Sequence, residues 1–262
     1  MTGTSYPAGN PFVWYELMTS DVTAAKQFYG TLMGWSMSEV EAGGEPYTIL
    51  SADGQGIGGI MRIPAVAAGS ARPGWFGYVG VPDASAAVEA MAADGASVHM
   101  PVTHIPEVGH IAMLADPQGA TFYVIQPEGE GPATSFSAMP SAGKFGWNEL
   151  HAGELAGALA FYTRHMGWKA FDGMDMGPMG TYQFYGLEGT TLGGMMTKTP
   201  DTPRPEWKHY AWVDDIDAAA SRVTEGGGQI VHGPSPVPGD LFMVQITDPQ
   251  GAAFAMVGHR KN

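Results

Sequence analysis

Hydrophobic and polar positions along the chain fall into four blocks, and each opens on a strand-like run followed by an amphipathic helix. Residues 11–18 alternate around apolar and aromatic side chains, the period of a strand. Asp21 is placed to cap a helix in which Val22, Ala25, Phe28, Tyr29 and Leu32 share one face, and Gly34 follows as a left-handed C-terminal cap. Strand-like runs come next at 35–40, 46–51 and 57–63. The pattern then restarts with a strand at 74–81, a helix capped by Asp83 and stopped by Gly95, and strands near 97–102, 109–115 and 120–126. The second half repeats the order, with strands at 145–151, 181–187, 191–197, 207–213, 240–247 and 252–257, a short strand at 168–172, and helices at 154–166 and 216–225. Each block is a βαβββ module. Strands and helices mixed without regular βα alternation predict an α+β fold.

The blocks pair into an internal repeat. Phe12-Val-Trp14-Tyr-Glu16-Leu17 returns as Phe145-Gly-Trp147-Asn-Glu149-Leu150, an offset of 133 from 12 to 145. Gly58-Gly59 returns as Gly193-Gly194 at 135, and Asp116-Pro-Gln-Gly119 as Asp248-Pro-Gln-Gly251 at 132. The drift places small loop insertions between fixed elements. Between the copies, residues 128–143 are rich in Pro, Gly and Ser without an apolar period and read as a linker. Domain 1 is therefore expected over 10–127 and domain 2 over 144–258.

Charge narrows the range of partners. With 12 Lys+Arg against 26 Asp+Glu the formal net charge is −14. The basic residues are scattered, so neither nucleic acid nor an anionic membrane surface is an expected partner. A hydrophobic fraction of 44% against 15% charged supplies a packed core. The absence of cysteine removes disulfides, thiolate metal sites and a thiol nucleophile together. The polar start, Met1 to Asn10, lacks the pattern of a secretory signal, and no run approaches the ~20 apolar residues of a membrane span. The expectation is a cytoplasmic monomer or homodimer that takes a small-molecule ligand.

These residues resemble the vicinal oxygen chelate superfamily of glyoxalase, bleomycin-resistance and extradiol dioxygenase proteins. The resemblance is carried by Asp21-x6-Phe28-Tyr29 before Leu32-x-Gly34-Trp35, by Val81-Pro-Asp83 entering an Ala-rich helix, by Asp116-Pro-Gln-Gly119, and by their second copies. The sequence looks most like two-domain bacterial glyoxalase-like proteins with a Trp-x-Glu-Leu first strand. The resemblance implies two tandem domains, each a pair of βαβββ modules forming a curled, cup-shaped mixed sheet. It also implies a divalent metal in the cup, held by His, Glu or Gln, that polarises two adjacent substrate oxygens.

At the positions where that resemblance places metal ligands, other residues stand. The first-strand position holds Trp14 and Trp147, and an indole N–H is a donor only. The second-module position holds Phe76 and Lys208, and the final one Tyr123 and Ala255. The expectation is therefore no cofactor. The alternative is a divalent Fe, Mn, Ni or Zn in a shifted set of Glu149, His151 and His209; strand alternation turns His209 to the opposite face from Lys208, Tyr210 and Trp212.

Glu16 and Glu149 lie two residues beyond each Trp and share its strand face. Either could be a catalytic base, or a buried carboxylate that only hydrogen-bonds a neighbouring Trp or Tyr. Trp14, Phe76, Tyr78 and Tyr123, with Trp147, Lys208, Tyr210 and Trp212, are the expected substrate-binding lining for a flat or apolar small molecule. A non-catalytic, drug-sequestering protein would need the same walls, and whether the chain is an enzyme stays open at this stage. The Gly54-Gln-Gly-Ile-Gly58-Gly59 run is followed by a strand and not a helix, so the Gly pair reads as a strand kink or close backbone approach rather than a phosphate loop.

Overall fold

The computed structural model describes residues 9–67, 69, 71–129 and 134–261. Four βαβββ modules follow one another. Module 1 comprises β1 (Phe12–Thr19), α1 (Val22–Met33), β2 (Ser36–Ala42), β3 (Glu45–Ala52) and β4 (Gln55–Arg62). Module 2 comprises β5 (Gly74–Gly80), α2 (Ala84–Ala93), β6 (Ser97–Ile105), β7 (Gly109–Ala115) and β8 (Thr121–Pro127). Module 3 holds β9 (Phe145–Ala152), α3 (Leu155–Met166), β10 (Lys169–Asp175), β11 (Thr181–Leu187) and β12 (Thr190–Thr197). Module 4 holds β13 (Glu206–Val213), α4 (Ile216–Glu225), β14 (Gln229–Val237), β15 (Leu241–Thr247) and β16 (Ala253–Gly258). The strands form two eight-stranded mixed sheets, ordered β2-β3-β4-β1-β5-β8-β7-β6 and β10-β11-β12-β9-β13-β16-β15-β14. This is the tandem α+β architecture expected from the repeat. No helix among the described residues is long and apolar enough to cross a membrane.

The helix signals act as the sequence suggests. The Asp21 carboxylate accepts from the Ala24 N–H at 3.0 Å, and Gly34 closes α1 at φ 70°. In α3 the cap is Glu154, and Gly167 ends the helix at φ 72°. One strand lay outside the sequence reading. The segment Gln229–Val237 carries Gly233, Pro234 and Pro236, which argue against a strand interior, yet it pairs antiparallel with β15 as the edge of its sheet. An edge strand has one side free of ladder bonds, so proline is tolerated there.

The chain separates into two compact units, each combining modules from different repeats. One holds the described residues up to Val13, those of module 2 from Gly77 on, and Trp147–Trp207; the other holds Trp14–Phe76, Thr134–Gly146 and the described residues from Lys208 on. In the first unit Phe12, Tyr162, Trp168, Tyr185 and Trp207 pack as an aromatic core, with Phe122 edge-on to Tyr162. The second unit uses the corresponding residues Phe145, Tyr29, Trp35, Trp75 and Phe254.

Each Asp-Pro-Gln-Gly turn pins one of these cores. The Asp116 Oδ1 accepts from the N–H groups of Gln118 and Ala120, both at 2.9 Å, while its Oδ2 accepts from the Tyr162 hydroxyl at 3.1 Å. That hydroxyl in turn accepts from Trp207 Nε1 at 3.0 Å. In the second unit Asp248, Tyr29 and Trp75 repeat the arrangement. Burial raises both the Asp and the Tyr pKa values in the two triads, which keeps the phenols protonated as donors. The end of the presumed linker is also tied down: Gly143 O accepts from Trp35 Nε1 at 2.8 Å, Phe136 bridges to Phe145, and Ser135 is fully buried.

Candidate functional site

The polar chemistry gathers on the first strand of each repeat. On β9 of the first unit, Trp147, Glu149 and His151 project from one face by strand alternation. Trp147 Nε1 donates to the Tyr182 hydroxyl at 2.8 Å, and that hydroxyl donates to Glu149 Oε2 at 2.8 Å. The other carboxylate oxygen, Oε1, lies 2.7 Å from His151 Nε2. Glu149 is 8% exposed, so its carboxyl group is held largely out of water with Tyr182 and His151 as hydrogen-bond partners. On β1 of the second unit the same relay recurs: Trp14 Nε1 donates to the Tyr47 hydroxyl at 2.9 Å, which is hydrogen-bonded to Glu16. Burial first, then the neighbouring Glu16 charge, raises the Tyr47 pKa well above its ordinary value, so this phenol stays a donor.

The glycine pairs build these relays. Gly59 lies opposite Glu16 in the β1–β4 register and Gly194 opposite Glu149 in β9–β12. A Cβ on Gly59 would fall 2.0 Å from the Tyr47 hydroxyl, and one on Gly194 would fall 2.1 Å from the Tyr182 ring. The second glycine of each pair therefore makes the slot in which the tyrosine lies. The first makes close backbone approach, since a Cβ on Gly58 would meet Tyr15 O at 2.4 Å and one on Gly193 would meet Asn148 O at 1.8 Å. Close approach is what the sequence reading attached to the pair; the tyrosines it serves were missed. The available signal was the offset, because Tyr47 to Tyr182 is 135, the same as for the glycines.

The remaining candidates divide between the units. In the first, Tyr78 and Tyr123 face each other on the parallel β5–β8 pair and stack with centroids 4.3 Å apart and planes 10° apart. In the second, half-buried Lys208 donates to Gln245 Oε1 at 3.3 Å and Gln245 Nε2 donates to the Tyr210 hydroxyl at 2.6 Å. Gln245 was not singled out in the sequence. Phe76 is half-buried on β5. Trp212 Nε1 donates to Ser137 O at 2.8 Å, and its ring lies where a Cβ on Gly146 would come within 2.0 Å of it. It also borders a surface cleft with Leu32, Gly143, Arg222 and Lys261.

His209 lies on the opposite face of β13 from Lys208 and Tyr210, as the alternation requires. It packs edge-on to Tyr15 with centroids 5.1 Å apart, and burial pushes its pKa down to about 3. Among the described residues no three His, Asp or Glu side chains converge as a group able to hold a metal ion. At the positions where a family metal would be held stand an indole committed to a tyrosine, a phenylalanine or lysine, and a tyrosine or alanine. This donor set does not fit such a metal.

Comparison with known proteins gives a family. The profile of the Glyoxalase/Bleomycin resistance protein/Dioxygenase superfamily matches residues 12–124 and 144–256. The chain is 31% identical over 257 residues to a Mycobacterium tuberculosis protein provisionally named glyoxylase CFP32, covering 97% of this chain and 96% of that one. It is 28% identical over 279 residues to the anthracycline biosynthesis protein DauV of a Streptomyces species, covering 98% and 96%. Among solved structures, the Mn(II)-bound glyoxalase from Novosphingobium aromaticivorans superposes with a TM-score of 0.61 at 16% identity, covering 97% of this chain and 83% of that one.

Proposed function

Because the chain belongs to the glyoxalase/bleomycin resistance protein/dioxygenase superfamily, we propose that it binds a small, flat, largely apolar or aromatic metabolite without the family's metal, with Glu16 and Glu149 as the groups available for acid–base work. The observation that carries this reading is the indole–phenol–carboxylate relay, present once in each unit at the strand position where a metal ligand would stand. A buried carboxylate fixed by a tyrosine can support proton transfer from a ligand as a general base does, directly or through a side chain it holds. Ligand contact in the first unit falls to Trp147, Tyr78 and Tyr123, and in the second to Trp14, Phe76, Lys208, Tyr210 and Trp212. Aromatic faces of this kind take flat ligands. The similarity to a protein of anthracycline biosynthesis supports an aromatic ligand class.

The test is calorimetric titration with 1-naphthol and anthraquinone of the wild type and of Glu16→Gln and Glu149→Gln. Saturable binding weakened by at least one substitution is expected; binding of neither probe would overturn the aromatic reading, and binding indifferent to both substitutions would remove the glutamates from it. A non-catalytic sequestering protein of the resistance type is the second reading. It is favoured by Met18, which stands two residues beyond Glu16 where the other repeat has His151. Binding of ligand with no product formed separates it from the first.

A further inference from the structure

The two relays are not equivalent, and the difference lies at one residue. In the second unit the relay runs from Trp14 through Tyr47 to Glu16, and the next residue on that strand face is Met18, which has no imidazole. In the first unit it continues through Glu149 Oε1 to His151 Nε2 at 2.7 Å. With Glu149 as the carboxylate, Oε1 only accepts, so Nε2 is the donor of this pair, and in that Nε2–H tautomer the lone pair lies on Nδ1. That Nδ1 atom is buried and has no hydrogen-bond partner among the described residues. The ring as a whole is 12% exposed on its side chain. A buried acceptor left unmet costs stability unless another molecule supplies the donor.

We infer that His151 Nδ1 is the hydrogen-bond acceptor for a hydroxyl group on the ligand, and that Glu149, Tyr182 and Trp147 are positioning residues that hold the imidazole in the Nε2–H tautomer with Nδ1 open. The inference rests on the aromatic-ligand reading and narrows it to hydroxylated aromatics in the repeat that carries His151. The hydrogen bonds converge on Glu149, from Trp147 through the Tyr182 hydroxyl on one side and from His151 Nε2 on the other, so on the imidazole Nδ1 is the nitrogen left to meet the ligand. The first repeat, ending on a thioether, has no equivalent group and would not distinguish a hydroxyl from its ether.

The experiment uses the full chain labelled with 15N-histidine, with the His151 ring signals identified by their loss in His151→Met. That variant installs the residue that stands at the equivalent position of the other repeat, Met18. Long-range proton–nitrogen spectra of the free protein are expected to show the Nε2–H tautomer at His151, and Glu149→Gln is expected to release it into a mixture. A purely space-filling glutamate would leave the tautomer unmoved. Titration with 1-naphthol is expected to shift the Nδ1 resonance saturably, whereas 1-methoxynaphthalene, which cannot donate, is expected to bind about tenfold more weakly at this site and leave Nδ1 in place. In His151→Met the two probes are expected to bind alike. If both probes bind the wild type equally with Nδ1 unmoved, or if the free ring is the Nδ1–H tautomer, the inference fails and the aromatic reading survives. If neither probe binds, both fall together.

Discussion

The relay of the first unit makes a quantitative demand on Tyr182 and Glu149. Removing the phenol hydroxyl with Tyr182→Phe deletes two hydrogen bonds, the one from Trp147 Nε1 at 2.8 Å and the one to Glu149 Oε2 at 2.8 Å. The bond to the carboxylate is charge-assisted and contributes about 1.5–3 kcal/mol, and the neutral indole bond adds about 0.5–1.5 kcal/mol. The substitution is therefore expected to cost about 2–4 kcal/mol. Glu149→Gln removes the charge at the same junction, so the two changes share one interaction and should not add. A double-mutant cycle of Tyr182→Phe and Glu149→Gln, read from urea denaturation, should give a coupling energy of about 1–3 kcal/mol. The ring stays in the Gly194 slot in both variants, so packing is nearly constant around the cycle. A coupling near zero, with each single variant costing under about 0.5 kcal/mol, would refute the hydroxyl as the link between indole and carboxylate.

Two further expectations follow from the same geometry. Gly194→Ala and Gly59→Ala drive a Cβ to 2.1 Å and 2.0 Å from the tyrosine atoms, so each is expected to cost about 1–3 kcal/mol by overpacking; in a Tyr182→Ala background the Gly194→Ala cost should nearly vanish, and its persistence there would show that the slot serves something else. His209 has a folded pKa of about 3 against 6.5 for the free side chain, so below about pH 6.5 the unfolded chain takes up a proton that the native state refuses. Stability is lost as pH falls from about 6.5 to about 3, reaching about 2 kcal/mol by about pH 5. Urea midpoints of wild type and His209→Leu should therefore converge or cross as pH is lowered from about 7 to about 5. Parallel lines would contradict a buried neutral ring.

Most of the fold was readable because its signals are local and doubled. Asp21 and Gly34 bound α1 by capping chemistry confined to one turn, and the second copy at Glu154 and Gly167 confirms the reading independently. Strand β14 escaped because Gly233 and Pro234 carry the usual marks of a loop, and only its position at a sheet edge makes them acceptable. The grouping of the modules into compact units depends on which aromatic cores close together, and no sequence offset encodes that. At the site, Trp14, Glu16, Trp147 and Glu149 were legible because they sit on one strand with period two. Tyr47 and Tyr182 were not, since they reach the carboxylates from another strand of the module across a glycine slot, a contact visible only once β3–β4 and β11–β12 are in register. The burial of His151 Nδ1 is likewise a property of packing in three dimensions.

The strand positions where the superfamily resemblance places metal ligands hold Trp14 and Trp147, Phe76 and Lys208, and Tyr123 and Ala255, sets that do not fit a divalent metal. The direct measurement is elemental analysis of the purified chain by mass spectrometry, repeated after chelation and after reloading with Mn, Fe, Ni and Zn. Each metal is expected to remain far below one per chain under every loading, with ligand binding unchanged by chelation. Near-stoichiometric metal that is removed by chelator and returns on reloading would contradict this, and would direct attention to the buried pair Glu149 and His151 as ligands.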